Sequence, residues 1–167
     1  DGYIGRKKET DVLVAMNPET AQDDVRALAG GAAVVYDEPL ALNAVRDDLV
    51  FYPVPFDKLL SGVVTDARLR RLVKNMVYDG VLSRLFGIDL EEMKHALEKQ
   101  LGKKPKALAM NQAALEAGYA FADANLEKRD AFRVERMEAT AGKILIEGDA
   151  AAALIAPTLP RTATGPS

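Results

Sequence analysis

The sequence predicts an α/β fold: a partly parallel sheet with flanking helices and a cluster of three helices. Three observations predict it. Two short valine-rich runs, DVLVAM (11–16) and AAVVYD (32–37), have the length and composition of buried strands, and a helix-compatible segment separates them. A third apolar run, LVFYPVP (49–55), follows a polar loop. The stretch from Lys74 to Ala122 then shows helical spacing interrupted at two glycines.

The elements follow in order. Residues 1–10 are polar and read as a lead-in loop. After the first strand, Asn17-Pro18-Glu19 carries an N-cap residue, a proline suited to the first helical position and an acid at the positive end of the helix dipole. A helix is therefore expected from Asn17 to about Ala29, with Gly30-Gly31 as its stop and not as a phosphate loop. Strand, helix and strand together are the local signature of a parallel sheet. Residues 38–48 read as a loop. In the third strand Pro53 cannot donate to a ladder, so this strand ends early or lies at an edge. FDKLLSGVV is a short helix.

A long helix is predicted from Asp66 to Phe86, with Leu69, Leu72, Val73, Met76, Val77, Gly80 and Val81 on one apolar face. Gly87 ends it. Asp89 caps a second helix whose narrow stripe is Leu90, Met93, Leu97 and Leu101. Gly102 stops that helix and Pro105 starts a third, running to about Asn125. The third is alanine-rich on most sides, so neighbours can approach it closely and it should sit deep in the domain. AFRVERM, within the charged residues 127–140, is a possible strand. KILIEGDAAAALIA (143–156) restarts an α/β pattern, and the Pro/Thr/Gly-rich residues 157–167 read as a mobile tail.

Composition narrows the function. Hydrophobic residues make up 49% of the 167, enough for a real core in one domain plus an appendage. A formal charge of −3, from 22 basic and 25 acidic residues, gives no electrostatic case for nucleic acid. The absence of cysteine excludes a disulfide scaffold, a thiolate zinc site and an iron–sulfur cluster ligated by this chain. With one histidine, no metal site is expected. No apolar run approaches the roughly 20 residues needed to span a bilayer. With no signal peptide visible, the expected compartment is the cytoplasm.

DVLVAMNPETA followed by GGAAVVYD, and RLVKNMVYDGVLSRLFGIDLEEMKHALEKQLGKKPKALAMNQAALEAGYAFA after them, resemble the gamma domain of the thiamine-diphosphate-dependent 2-oxoacid:ferredoxin oxidoreductases. The closest likeness is to the fused gamma–alpha chain of the 2-oxoglutarate type. FRVERM followed by ILIEGDAAAAL resembles the junction into the alpha part, where the pyrimidine-binding thiamine domain begins, with Asp149 where an asparagine is expected. The resemblance covers residues 3–154. The family's opening strand with its GxGGQG turn, and its Tyr-Pro-Ile-Thr-Pro stretch facing the 2-oxoacid, are not in this sequence. The resemblance therefore implies a gamma-type domain lacking its first strands over residues 1–140, and the opening of an alpha-type domain over 141–156. A sheet edge left open and prone to self-association is the expected consequence.

Asn17 lies at the carboxyl end of a predicted parallel strand, where α/β proteins place ligand-contacting loops; it is a cofactor-binding candidate there, and otherwise a plain helix cap. Lys103 and Lys104, in the basic turn GKKPK before the third helix, could meet the phosphates of coenzyme A, the acyl acceptor that the resemblance implies; a solvated turn is the simpler account. Lys74 and Asn75 are interface candidates facing a cleft or an adjacent subunit, against a solvated helix face. Asn111 and Gly118 read as packing residues, the first bonding a neighbouring backbone and the second admitting a close crossing. His95 reads as a surface histidine, and Glu91-Glu92 as a first turn favoured by the dipole. No catalytic residue and no metal ligand are assigned.

The resemblance implies an accessory domain, inactive alone, of an enzyme that oxidatively decarboxylates a 2-oxoacid on thiamine diphosphate. The whole enzyme would use Mg2+, iron–sulfur clusters and coenzyme A, pass electrons to ferredoxin, and place this chain against the rest of the alpha chain and the thiamine-binding beta subunit. No cofactor is expected on this chain, and no nucleic acid or membrane partner. The alternatives are a free-standing nucleotide-binding α/β domain and a structural interaction module docking through its alanine-rich helices.

Overall fold

The computed structural model describes residues 9–138 and 141–143. The chain divides into two units, Asp1–Glu135 and Arg136–Ser167. The expected α/β restart at 143–156, Asp149 within it, and the tail at 157–167 lie outside the described residues, apart from Lys143.

The first unit is an α/β fold. Three strands, β1 (Val12–Ala15), β2 (Ala33–Asp37) and β3 (Val50–Val54), form a sheet in the order β1-β2-β3. Both pairings are parallel, with Val14 opposite Val35 and Val35 opposite Tyr52. The period of two sends alternate side chains to opposite faces. Ala33, Val35, Tyr52 and Val54 enter the larger core, whereas Val34, Tyr36 and Phe51 enter a smaller one on the other face. The small core is closed by α1 (Ala21–Ala27) through Ala21 and Val25. The large core is closed by α2 (Phe56–Val63), α3 (Ala67–Phe86) and α5 (Pro105–Asn125), with α4 (Leu90–Leu101) packed on α3 and α5.

Local signals account for most boundaries. Asp66 caps α3, accepting from the N–H groups of Arg68 and Leu69. Gly87, at φ +70°, ends α3 in the left-handed conformation that favours glycine. Asp89 caps α4 through the Glu91 N–H at 2.9 Å. Pro105 is the first residue of α5. Pro53 sits inside β3, and β3 is an edge strand of the described sheet, where a missing donor is tolerated.

Four expectations need correction. α1 starts at Ala21 rather than at Asn17-Pro18, because Asn17 Oδ1 accepts from the Glu19 N–H at 3.1 Å and builds a local turn there. It also ends at Ala27, before Gly30-Gly31; Gly31 instead makes the turn into β2 at φ +83°. Residues 131–137 form no strand. Their hydrogen bonds go elsewhere: Asp130 accepts from the Phe132 N–H at 2.8 Å, and the Val134 N–H donates to Phe86 O at 2.8 Å. Finally, Leu72 is 73% exposed and Leu69 is 38% exposed, so the apolar face of α3 is covered only from Val73 onward.

α3 and α5 make the most extensive helix pair. A Cβ on Gly80 would lie 2.0 Å from Leu115 O, and one on Gly118 would lie 2.1 Å from Val77 O. Backbone meets backbone here, so only glycine fits at either position. Asn111, in contrast, bonds its own helix at Ala107 O (2.7 Å) and not a neighbouring element. The segment leaving α5 is strapped across β3. The Tyr52 hydroxyl donates to Asp130 and accepts from the N–H groups of Arg129 and Asp130, while the Arg129 guanidinium donates to Phe51 O.

Candidate functional site

Because the three strands are parallel, their carboxyl ends share one edge, the side where open α/β sheets place ligand-contacting loops. Asn17 follows β1, Asp37 ends β2, and Phe56 and Asp57 open α2 just beyond β3. α3 reaches this edge through Lys74. Lys74 Nζ donates to Asp37 Oδ2 at 3.1 Å, an ion pair of two half-buried side chains. The same ammonium lies 5.8 Å from the centre of the Phe56 ring, and Phe56 stacks on Tyr78 with centroids 3.6 Å apart.

Arg70, Lys74 and Tyr78 are spaced four apart and form one stripe along α3. Arg70 donates through Nη2 to Thr65 O at 3.0 Å. Beside the stripe, a groove of about 360 Å³ is lined by Asp57, Leu60, Ala67, Arg70, Arg71 and Lys74. Burial, with Asp37 and Asp57 adding to it, pushes the Tyr78 phenol far above its ordinary range, so it stays protonated. One residue on, Asp79 faces a second groove with Met76, Met93 and Leu97, and burial raises its carboxyl above the ordinary range.

Of the residues singled out from the sequence, Lys74 lies in this cluster. Asn17 follows the neighbouring strand at the same edge, exposed and engaged in its own turn rather than in a helix cap. Asn75 is exposed, next to Lys74 but off the stripe. Lys103 and Lys104 are exposed on the turn before α5, and no described contact joins them to the carboxyl-edge group. His95 is exposed on α4. Glu91 pairs with Lys94, which also reaches Glu116 at 2.9 Å and so ties α4 to α5. Arg70 and Tyr78 were not anticipated; the spacing of Arg, Lys and Tyr at i, i+4 and i+8 was the available signal. Among the described residues no group of three or more His, Cys, Asp or Glu is placed to hold a metal ion, and no helix is long and apolar enough to cross a membrane.

A parallel sheet with charged and aromatic side chains gathered at its carboxyl edge is the build of an α/β domain that presents a binding surface. Residues 4–121 match the model of the pyruvate ferredoxin/flavodoxin oxidoreductase family, and the chain belongs to that family. It is similar to the 2-oxoglutarate oxidoreductase subunit KorA of Mycobacterium tuberculosis, at 27% identity, over 68% of this chain and 20% of the relative. It also resembles the solved 2-oxoglutarate:ferredoxin oxidoreductase from Magnetococcus marinus, a structure with 2-oxoglutarate, coenzyme A and succinyl-CoA bound. The TM-score is 0.65 at 34% identity, over 75% of this chain and 22% of that one. The chain thus spans about a fifth of the length of each relative.

Proposed function

We propose that the chain is the gamma-type accessory domain of a thiamine-diphosphate-dependent 2-oxoacid:ferredoxin oxidoreductase, acting within a 2-oxoglutarate-type enzyme. One observation carries this reading. The shared fold at 34% identity runs through most of the chain, and the relative concerned is a 2-oxoglutarate:ferredoxin oxidoreductase. The gamma-type part is residues 1–140, with an alpha-type segment beginning at 141. Thiamine diphosphate, Mg2+ and iron–sulfur clusters belong to other parts of the enzyme, coenzyme A is its co-substrate, and ferredoxin takes the electrons.

The role of this domain is to hold a surface against the remaining alpha-type chain and the thiamine-binding subunit. Asn75 and the exposed Leu69 and Leu72 supply that surface on α3, and Lys74 holds α3 to Asp37 at its edge. The test combines two measurements. The purified chain should not reduce a viologen dye with 2-oxoglutarate and coenzyme A. It should co-elute with the other subunits of its enzyme when they are expressed together. Dye reduction by the chain alone, or failure to co-elute, overturns the assignment.

A further inference from the structure

Among the described residues, no hydrogen bond or ion pair reaches the Asp79 carboxyl group, which is half-buried on α3. Burial alone moves its titration, so no cation stands near it. A carboxyl group withdrawn from water without a partner costs stability in either protonation state. Elsewhere the chain meets that cost. Asp37 is answered by Lys74, and Asp130 by Lys128 and the Tyr52 hydroxyl.

Asp79 opens into a groove of about 200 Å³ between α3, α4 and α5. Met76 and Met93 flank it, the buried Leu97 and Leu115 floor it, and Gln100 stands exposed at its rim. Among the described residues that line it, Asp79 carries the one charge. Sites for drug-sized molecules run to about 300–1,000 Å³, so this groove has room for a single side chain. An apolar slot with one negative group suits an apolar stem that ends in a cation. Arginine meets that description better than lysine. Its guanidinium is the more weakly hydrated head, and its planar fork can donate to both carboxylate oxygens at once. Methionine side chains adapt to such a stem. Leu72, Met76 and Asp79 recur at helical spacing, so the groove continues the face of α3 that carries the proposed docking residues.

We infer that this groove is a socket for an arginine side chain of the partner subunit, with the guanidinium paired to Asp79 and the stem lying between Met76 and Met93. The source of the arginine rests on the docking role proposed above; the socket is a property of this chain. Pairing removes a cost that the free chain already bears, so the contact favours association.

The test has two arms. In the first, the 167-residue chain with isotope-labelled methionine methyls is titrated with n-butylguanidinium. The Met76 and Met93 resonances should shift and saturate. Asp79→Asn keeps the shape and removes the charge, and should weaken binding by about tenfold or more. The uncharged n-butylurea should not saturate. Absence of saturation, unchanged binding in Asp79→Asn, or n-butylurea binding as well as the cation would each overturn the socket. In the second arm, the wild-type chain and Asp79→Asn are each co-expressed with the other subunits of the enzyme. Less of the variant should co-elute although its melting temperature does not fall, which separates lost association from lost folding. Equal recovery overturns the partner's arginine as occupant. A wild-type chain that binds the cation but does not co-elute overturns the docking role and the occupant with it, whereas one that co-elutes but binds no cation overturns the socket alone.

Discussion

The two halves of α3 have opposite duties. From Val77 to Phe86 the helix is packing surface, with Val77, Val81, Leu85 and Phe86 buried in the core and Gly80 pressed on the backbone of α5. From Ala67 to Lys74 it is largely exposed, showing Leu72 and two arginines to the outside while Lys74 reaches the sheet edge. One regular helix therefore joins a rigid anchor to a working surface. A substitution in the C-terminal half should read out as stability, and one in the N-terminal half, on the proposed docking role, as association.

Gly118→Val should break the anchor. Its side chain meets the Val77 carbonyl directly, and the helix-propensity gain of valine over glycine, about 0.4 kcal/mol, cannot offset a displaced backbone. We expect a loss of about 3 kcal/mol or more, or failure to fold, read by urea denaturation. An unchanged midpoint would show that the helices are not in backbone contact.

Tyr52→Phe probes a second anchor, the strap after α5. It strips the hydroxyl that donates to the Asp130 carboxylate and accepts from the Arg129 and Asp130 N–H groups, and should cost about 1–3 kcal/mol. Cleavage between 126 and 134 in limited proteolysis should speed up; equal cleavage would deny the strap its role.

Two carboxylates sharpen the contrast through pH. Burial tends to raise Asp130, but Lys128, Tyr52 and the Phe132 N–H outweigh it and hold its carboxyl below the ordinary range. Its contribution is thus present above the unfolded value of about 3.9 and lost as pH falls through the lower folded value. Asp79 has the opposite sign. Burial raises it, so its proton favours the folded chain in acid and that contribution is lost as pH rises through the folded value. Asp130→Asn should flatten the acid limb of the stability profile, whereas Asp79→Asn should stabilise the chain at neutral pH. Thermal melts across the acid-to-neutral range decide both, and a destabilised Asp79→Asn would refute the second.

The smallest expected effect is on the working surface. Leu72→Ser should change stability by less than about 0.5 kcal/mol, since the side chain is exposed. The docking role proposed for this surface predicts weaker association with a co-expressed partner in a pull-down. A large drop in melting temperature instead would place Leu72 in the core.

Helix boundaries were legible because their causes are local. Asp66, Gly87, Asp89 and Pro105 announce α3, α4 and α5 within a few residues of sequence. The start of α1 was misread for an equally local reason: Asn17-Pro18 serves a helix cap or an Asx turn alike, and only the bond to Glu19 tells them apart. Periodicity placed Leu69 and Leu72 on the same face as Val73 and Val77, but it cannot say how far along a helix the covering elements reach. The candidate site was least legible. Lys74 reads from the sequence as an interface residue, yet its partner Asp37 lies 37 positions away, and the unpaired state of Arg70 Nε and Tyr78 emerges only after the helices dock.

The paired glycines also solve a problem of sliding. An alanine-rich rod such as α5 gives up little rotamer freedom on docking, but it offers few protruding knobs to stop it from slipping one turn along its neighbour. Gly80 receives Leu115 and Gly118 receives Val77, so each helix carries a notch that admits the other's main chain at one position. Shift the register by a turn, and a methyl group or larger stands where a notch must be.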